Sequence, residues 1–248
     1  MCYHISQTPK KITSAQVMER YGIKHSQGPL FEDPKGFHMN GFSHPEAVVV
    51  ATDDPRAFQQ MKWGLIPFWV KNQEQAKQMS SRTLNAKCET VFELASFRAA
   101  ILKRRCIIPV NGFYEWMHLK GKTYPHYIYP KDGSVFSLGG IWEEWTDKSS
   151  GEIIRTFSIV TTAANPLMEV IHNTKKRMPL ILDPEKELDW ISEGIAKEDI
   201  SSLMLPYAAD RMAYHTIGRL VTSRTEDSNV EEVKKPEVYP ELSPIVGF

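Results

Sequence analysis

The stretch Arg105-Cys-Ile-Ile-Pro-Val-Asn-Gly-Phe-Tyr-Glu-Trp116 decides the fold class of this chain. Its first half is a short apolar run rich in β-branched residues, which predicts a buried strand. The residues from Gly112 to Trp116 continue it with aromatic side chains, which are typical of sheets. Glu115 lies between these aromatic residues, so the stretch that predicts a sheet also contains a candidate chemical group.

Further strands and short helices flank this stretch on both sides. Apolar and β-branched runs predict strands at residues 47–51, 124–129, 135–138, 141–145, 153–162 and 179–182. Capping and proline signals and helical spacing predict short helices that begin near residues 14, 89, 166, 184 and 198, and residues 28–41 predict a loop. Because strands and helices do not alternate regularly, we expect an α+β fold with a mainly antiparallel, barrel-like β core and short peripheral helices.

Length and composition favour a single globular domain. The chain has 248 residues, of which 42% are hydrophobic and 24% are charged, and this is enough to bury a core. We expect one domain over residues 1–221 and a polar, loosely ordered tail over 222–248. No apolar run is long enough to span a membrane, and the N-terminus does not resemble a signal peptide. We therefore expect a protein of the cytoplasm, associated with the nucleoid in a prokaryote, that is neither secreted nor bound to membrane.

The charge balance and the cysteines exclude some classes of site. Lys plus Arg total 30, as do Asp plus Glu, so any contact with nucleic acid requires a local basic patch. The cysteines Cys2, Cys88 and Cys106 have no C-x-x-C spacing, which argues against a disulfide framework or a zinc knuckle. A zinc site made of these cysteines and His4 is the least favoured alternative, and we expect no metal or cofactor.

Cys2 is a candidate nucleophile because of its position. Removal of Met1 would leave a cysteine whose amine and thiol lie on adjacent carbons. The amine can form a Schiff base with an aldehyde, and the thiol can then close a thiazolidine ring. The alternative is that Cys2 has no function and follows the start codon by chance. Its position alone does not decide between the two, so the other residues of the chain have to.

Four polar residues further along the chain stand in segments that predict burial or a rigid turn. Glu115, set between aromatic residues, should have a raised pKa if it is buried, although strand alternation could equally point it into solvent. His172 follows a short capped helix and could act as a general acid or hold a structural hydrogen bond. Asn165 is explained by helix capping before Pro166, and Asn85 stands in a segment that predicts burial.

Taken together, these segments resemble the SRAP family, the SOS response-associated peptidases, whose members are also described as abasic-site processing proteins. The resemblance extends from residue 1 to about 220 and rests on five motifs in the family's order: Met1-Cys2, Trp63-Gly-Leu-Ile-Pro67, Arg82-Thr-Leu-Asn-Ala-Lys-Cys-Glu-Thr90, Arg105 to Trp116, and Thr161 to Pro166 with Ile171-His172 and Arg177-Met-Pro179. It implies a barrel-like β core with helices around it.

The resemblance also implies a function. Members of the family sense abasic sites in single-stranded DNA and capture them through a thiazolidine crosslink at the N-terminal cysteine, which protects the lesion during replication. Carried over by position, Cys2 is the nucleophile, Asn85 positions the reacting group, and Glu115 and His172 move protons. Autoproteolytic removal of Met1 and a competing AP-lyase activity at the Schiff base stage are compatible with this chemistry.

For DNA binding we expect a monomer with a local cationic and aromatic surface. The candidate residues are Trp63, Pro67, Arg82, Lys87, Arg104, Arg105, Lys175, Lys176 and Arg177. Any one of these cations could instead be a solvated charge or a helix end.

Two departures from the family pattern leave details open. Tyr3-His4 replaces the usual Gly-Arg, which puts a phosphate contact in doubt, and the segment between His172 and Arg177 is longer than usual. The family's arginine could therefore correspond to Lys175, Lys176 or Arg177. Two other functions remain as alternatives: a thiol peptidase or autopeptidase that uses Cys2, and a non-covalent module that binds single-stranded DNA.

Overall fold

The computed structural model describes residues 1–26 and 36–242. Most of the predicted loop at residues 28–41 and the end of the predicted tail, residues 243–248, therefore lie outside the described residues.

The described residues form fourteen strands, most of them antiparallel. They are β1 His4–Ser6, β2 His25–Ser26, β3 Met39–Asn40, β4 Glu46–Ala51, β5 Asp54–Trp63, β6 Asn85–Lys87, β7 Arg105–Val110, β8 Gly112–Leu119, β9 Lys122–Pro130, β10 Phe136–Thr146, β11 Ile153–Ala163, β12 Arg177–Pro179, β13 Ile181–Leu182 and β14 Met212–Thr216.

The helices are short and lie around these strands. The α-helices are α1 Pro9–Ile12, α2 Ala15–Arg20, α3 Gln73–Arg82, α4 Arg98–Lys103, α5 Pro166–Ile171, α6 Glu187–Trp190 and α7 Lys197–Leu203. Short 3₁₀ turns occupy Gly41–Ser43, Pro184–Lys186, Ala209–Arg211, Arg219–Thr222 and Glu231–Lys234.

A closed ring of five strands forms the centre of the fold. β11, β10, β7, β4 and β5 follow one another as antiparallel neighbours. The ring closes because β5 also pairs with β11, in parallel, with Thr156 opposite Lys62 and Phe157 opposite Trp63. The predicted α+β fold with a mainly antiparallel, barrel-like core is therefore confirmed.

A second sheet of five strands, in the order β14-β9-β8-β1-β3, carries the N-terminus. β1 is antiparallel to β8, with Ile5 opposite Phe113. This register directs the residues that precede β1 towards the middle of β8, where Glu115 lies.

Side chains alternate between two core layers along the central strands, as the pleat of a strand requires. On β4, Val49 belongs to the layer that also contains Cys2, Phe113 and residues of α5. The neighbouring Val48 and Val50 belong to the layer that packs against α2, α4, α6 and α7. One core layer therefore faces the N-terminus, and the other faces the peripheral helices.

Two local predictions are wrong. Residues 135–138 and 141–145 belong to one continuous strand, β10, because Gly139 and Gly140 mark close packing and not a turn. A Cβ atom on Gly140 would lie 2.5 Å from Ile108 Cδ1. The helix predicted over residues 89–102 is confined to Arg98–Lys103, since the preceding residues form turns.

The prediction of a loosely ordered tail is wrong for residues 222–242. Val233 is 1% exposed and packs in a cluster with Tyr114 and Tyr127. Tyr239 donates a hydrogen bond to the Ile217 carbonyl at 2.8 Å. The polar composition of the segment did not predict these contacts, because each of them is made by a single side chain.

Candidate active site

The N-terminal segment lies inside the protein, and Cys2 is fully buried in the core layer that faces it. Its thiol lies 3.9 Å from the His4 carbonyl oxygen. Burial raises the pKa of this thiol, with a further contribution from the nearby Glu115. In this structure Cys2 is therefore a neutral thiol.

Three groups meet at the N-terminus: the Met1 amine, Glu115 and His172. The amine nitrogen lies 3.3 Å from His172 Nε2 and 3.9 Å from Glu115 Oε1. His172 Nδ1 lies 3.8 Å from the same carboxyl oxygen. The structure thus brings together residues that are separated by more than fifty positions in the sequence and that we predicted to act together.

Helix α5 fixes the position of His172. The Asn165 side chain accepts a hydrogen bond from the Met168 N–H at 2.8 Å, which confirms its predicted role as the N-cap. The helix ends at Ile171, so His172 follows it directly and is 7% exposed. Its Nδ1 donates to the Arg177 carbonyl at 2.8 Å, so in the neutral ring Nε2 is the nitrogen that can accept a proton. The amine lies 3.4 Å from Nδ1 and 3.3 Å from Nε2.

Burial shifts the protonation equilibria of all three groups. Burial raises the pKa of Glu115 to about 8 although the ammonium opposes this, so the buried alternative that we considered for this residue is the correct one. Burial and the adjacent ammonium lower the pKa of His172 to about 4. The pKa of the Met1 amine is lowered mainly by burial. At neutral pH the site therefore contains a protonated carboxyl, a neutral imidazole and an amine that is easily deprotonated.

Asn85 lies on the same side of the sheet as Cys2. It pairs in parallel register with Ile159, which belongs to the Cys2 core layer, whereas the next residue, Ala86, belongs to the opposite layer. Asn85 is 9% exposed, and neither polar atom of its side chain has a hydrogen-bond partner among the described residues. Burying an amide without hydrogen-bond partners lowers the stability of the fold, and a ligand that bonds to it would restore the missing hydrogen bonds.

A cavity of about 460 Å³ opens from this cluster to solvent. Met1, Glu115, His172 and Trp116 line one part of it, and Thr174 and Lys175 line another. This places Lys175 in the wall of the site. Arg177 is instead held by an ion pair with Glu89 and by a hydrogen bond of 2.6 Å to the Thr161 carbonyl.

Two residues that we predicted to contact DNA are in the core. Trp63 is fully buried, stacks on Phe157 and donates to the Leu84 carbonyl at 2.8 Å. Arg105 is also fully buried, and its guanidinium donates to backbone carbonyls, including that of Trp190 at 2.6 Å. The prediction that either side chain contacts DNA is therefore wrong, because neither one reaches the surface.

The other predicted contacts fall into two groups. Pro67 is buried, and Arg104 forms an ion pair with Glu143. The exposed cations are Arg82, Lys87, Lys175 and Lys176. Of these, Lys87 is close enough to the N-terminus to lower the pKa of its amine.

The sequence interpretation missed two exposed aromatic residues that follow Pro67. Phe68 is 61% exposed and Trp69 is 44% exposed. Their position directly after a proline in a non-helical segment was the available signal, because such segments run over the surface.

The described residues contain no group of three or more His, Cys, Asp or Glu side chains arranged to hold a metal ion. No helix within residues 1–26 or 36–242 has the length and apolarity needed to cross a membrane.

The sequence model for the SOS response associated peptidases (SRAP) matches residues 1–224. This chain belongs to the SRAP family. Among its relatives is the abasic site processing protein YoqW of Bacillus subtilis, which is 39% identical over 171 residues that cover 68% of this chain and 73% of YoqW. The abasic site processing protein HMCES of Gallus gallus is 28% identical over 84% of this chain and 65% of its own length.

A crystal structure of a protein from Bacteroides thetaiotaomicron has the same fold. It superimposes with a TM-score of 0.87 at 37% identity and covers 96% of this chain and all of that one. A second crystal structure, from Bordetella bronchiseptica, has a TM-score of 0.71 at 26% identity, and the match covers 88% of this chain.

Proposed function

We propose that this protein captures abasic sites in single-stranded DNA through a covalent bond to Cys2 after Met1 has been removed. The observation that carries the proposal is the meeting of the N-terminal amine with Glu115 and His172. The names of the relatives YoqW and HMCES agree with a substrate of this class. Capture would protect the lesion during replication.

The first step is attack by the amine. The open form of an abasic deoxyribose carries an aldehyde at C1′, and His172 assists ring opening as a proton carrier. The Cys2 amine, freed by loss of Met1, adds to C1′. His172 Nε2 accepts the proton that the nitrogen loses and passes it to the former carbonyl oxygen, which becomes a hydroxyl, so His172 is neutral again.

Glu115 then acts twice. Its protonated carboxyl donates to the C1′ hydroxyl, which leaves as water and gives an iminium ion. The Cys2 sulfur adds to the iminium carbon, and the Glu115 carboxylate takes the thiol proton. The products are a neutral thiazolidine, one water molecule and Glu115 in its starting protonation state. A carboxyl with a pKa of about 8 suits both transfers, because it can give and regain a proton near neutral pH.

Asn85 and the nearby cations have supporting roles in this proposal. The two polar atoms of Asn85 are free to bond to the sugar or to the amine. Lys175, in the wall of the cavity, and Lys87, near the amine, would neutralise phosphates on either side of the lesion. A competing β-elimination from the iminium stage would cleave the strand unless ring closure is faster.

The test is denaturing gel electrophoresis of protein incubated with a single-stranded oligonucleotide that contains one abasic site. We expect a heat-stable shifted band that requires both the abasic site and Cys2, and that is absent for Cys2→Ala. The matched control is Cys88→Ala, which removes a half-buried cysteine outside the site. No band from protein shown by mass to begin at Cys2 would refute the proposal.

A second activity, removal of Met1 by the protein itself, is favoured by one observation. Glu115 and His172 contact the Met1 amine, so they lie next to the Met1–Cys2 peptide bond. Mass spectrometry of Glu115→Gln and wild-type protein, made in a cell-free system without methionine aminopeptidase, tests this. Equal loss of Met1 from both would assign the cleavage to another enzyme, and an uncleaved Glu115→Gln would support it.

A further inference from the structure

The segment between His172 and Arg177, which is longer than usual for the family, forms a closed turn. The Lys176 N–H donates to the His172 carbonyl at 2.9 Å, and Lys176 has a left-handed backbone with a φ of 49°. His172 Nδ1 donates to the Arg177 carbonyl at 2.8 Å. The turn of residues 173–176 therefore begins and ends on contacts with His172, so the position of the turn and that of the imidazole are coupled.

The far end of the turn is attached to the barrel. Arg177 pairs with Ala163 of β11, and the Ala164 N–H donates to the Lys176 carbonyl at 3.0 Å. These contacts hold the turn relative to the barrel. Glu115 belongs instead to β8 in the second sheet, so they do not fix its separation from His172.

Asn173 connects the turn to β8. Its side-chain oxygen accepts from the His118 N–H at 3.1 Å, and its side-chain nitrogen donates to the His118 carbonyl at 2.7 Å. β9 covers one edge of β8 at His118, whereas β1 covers the other edge only at Gly112 and Phe113. The primary amide of Asn173 has the donor and the acceptor that the uncovered backbone groups need. Among the described residues, these are the only hydrogen bonds between residues 173–176 and β8.

The contact lies where it can hold the two acid–base groups of the site together. Asn173 directly follows His172, and His118 is on the same strand as Glu115. His172 Nδ1 lies 3.8 Å from Glu115 Oε1, and the Met1 amine contacts both side chains. Proton transfer requires short distances between the reacting groups, so a small displacement of either side chain would slow the reaction.

We propose that Asn173 is a positioning residue that holds the turn after His172 against the strand that carries Glu115, and so sets the separation of the two side chains. This inference rests on the proposed function, because it assigns both side chains to proton transfer during capture of the abasic site. The two hydrogen bonds of Asn173 are exposed to solvent, so their loss should disturb the site more than the stability of the whole fold.

The test compares Asn173→Ala and Asn173→Asp with Asn72→Ala, in samples shown by mass to begin at Cys2. Asn173→Asp keeps the shape and the acceptor but places a carboxylate oxygen against the His118 carbonyl. Asn72 is a matched control, because it is also exposed and its side chain also accepts from a backbone N–H, that of Gln75 at 2.9 Å.

Two quantities are measured for each variant. The first is the rate of crosslinking as a function of the concentration of single-stranded abasic DNA. The second is the pKa of His172, obtained without DNA by NMR titration of its ring protons.

We expect Asn173→Ala to slow crosslinking at saturating DNA about tenfold, with a smaller change in the DNA concentration that gives half the maximal rate. Asn173→Asp should be at least as slow. The pKa of His172 should rise in both variants from about 4 towards its ordinary value of 6.5, because a displaced imidazole is less buried. Asn72→Ala should match the wild type in both measurements. A purely structural role for Asn173 would lower the stability without changing either quantity.

A wild-type crosslinking rate in Asn173→Ala, together with an unchanged pKa of His172, would overturn the inference. The wild-type sample separates this failure from failure of the proposed function. If the wild type forms crosslinks and Asn173→Ala matches it in both measurements, only the role of Asn173 is refuted. If the wild type forms no crosslink but Asn173→Ala still raises the pKa of His172, only covalent capture is refuted.

Discussion

Glu115 should make the protein less stable as the pH rises, and Glu115→Gln should remove this effect. Burial raises the pKa of the native carboxyl from 4.5 to about 8. Above pH 4.5 the unfolded chain loses this proton while the native protein keeps it. The native state therefore binds more protons than the unfolded state, and the free energy of unfolding falls as the pH increases towards 8.

The size of the effect follows from the shift. One pH unit corresponds to about 1.4 kcal/mol, so the stability gained by Glu115→Gln should be about 2–3 kcal/mol larger at pH 7 than at pH 5. Urea unfolding followed by tryptophan fluorescence at pH 5, 6, 7 and 8 measures this difference. Gln is nearly isosteric with the protonated acid, so packing contributes little to it.

The control for this experiment is Glu152→Gln, which removes an exposed carboxylate and should change stability little at any pH. The N-terminal residue of each sample should be identified by mass, because the amine contributes to the shift. A gain that stays constant between pH 5 and pH 7, or a loss that grows with pH, would refute the assignment of a buried, proton-holding Glu115.

Three further predictions concern side chains around the site. Asn85→Ala should slow crosslinking at saturating DNA about tenfold or more. It should not lower the stability, because the amide that it removes is buried and has no partner among the described residues. A loss of stability would contradict this. Lys175→Ala should weaken DNA binding and reduce its salt dependence more than Lys176→Ala, measured by salt titration, because only Lys175 lines the cavity; equal effects would argue against that position. Trp63→Ala should lower the free energy of unfolding by about 3–5 kcal/mol, because Trp63 is fully buried. Trp69→Ala should change it little. If calorimetry showed Trp69→Ala to be the less stable variant, the burial of Trp63 would be contradicted.

Some features of the site were already determined by the sequence. The capped helix before His172 was predicted from Asn165-Pro166 because capping depends on neighbouring residues only. The family was recognisable from five motifs in order, and the strands around residues 47–51, 106–116 and 153–162 followed from their apolar runs. The α+β class with a barrel-like core followed from the order of these elements.

Only the tertiary structure decided which residues are exposed. Trp63 and Arg105 were expected to contact DNA because aromatic and cationic residues often do. Trp63 instead lies in the core layer that faces the N-terminus, and Arg105 is buried against α4 and α6, where its guanidinium donates to the Ile101 and Trp190 carbonyls. Both positions depend on the pairing of their strands with distant strands. Phe68 and Trp69, in contrast, are exposed.

The tertiary structure also determined the burial and the pKa of Glu115. Alternation alone left open whether Glu115 points into solvent or into the core, and its shifted pKa arises from burial beside an amine at the far end of the chain. The tail is a further case, because Ser228 reaches His4 through one intervening histidine that lies 190 residues before it. Local patterns determine strands, helices and caps, whereas burial, charge and proton position depend on contacts between residues that are far apart in the chain.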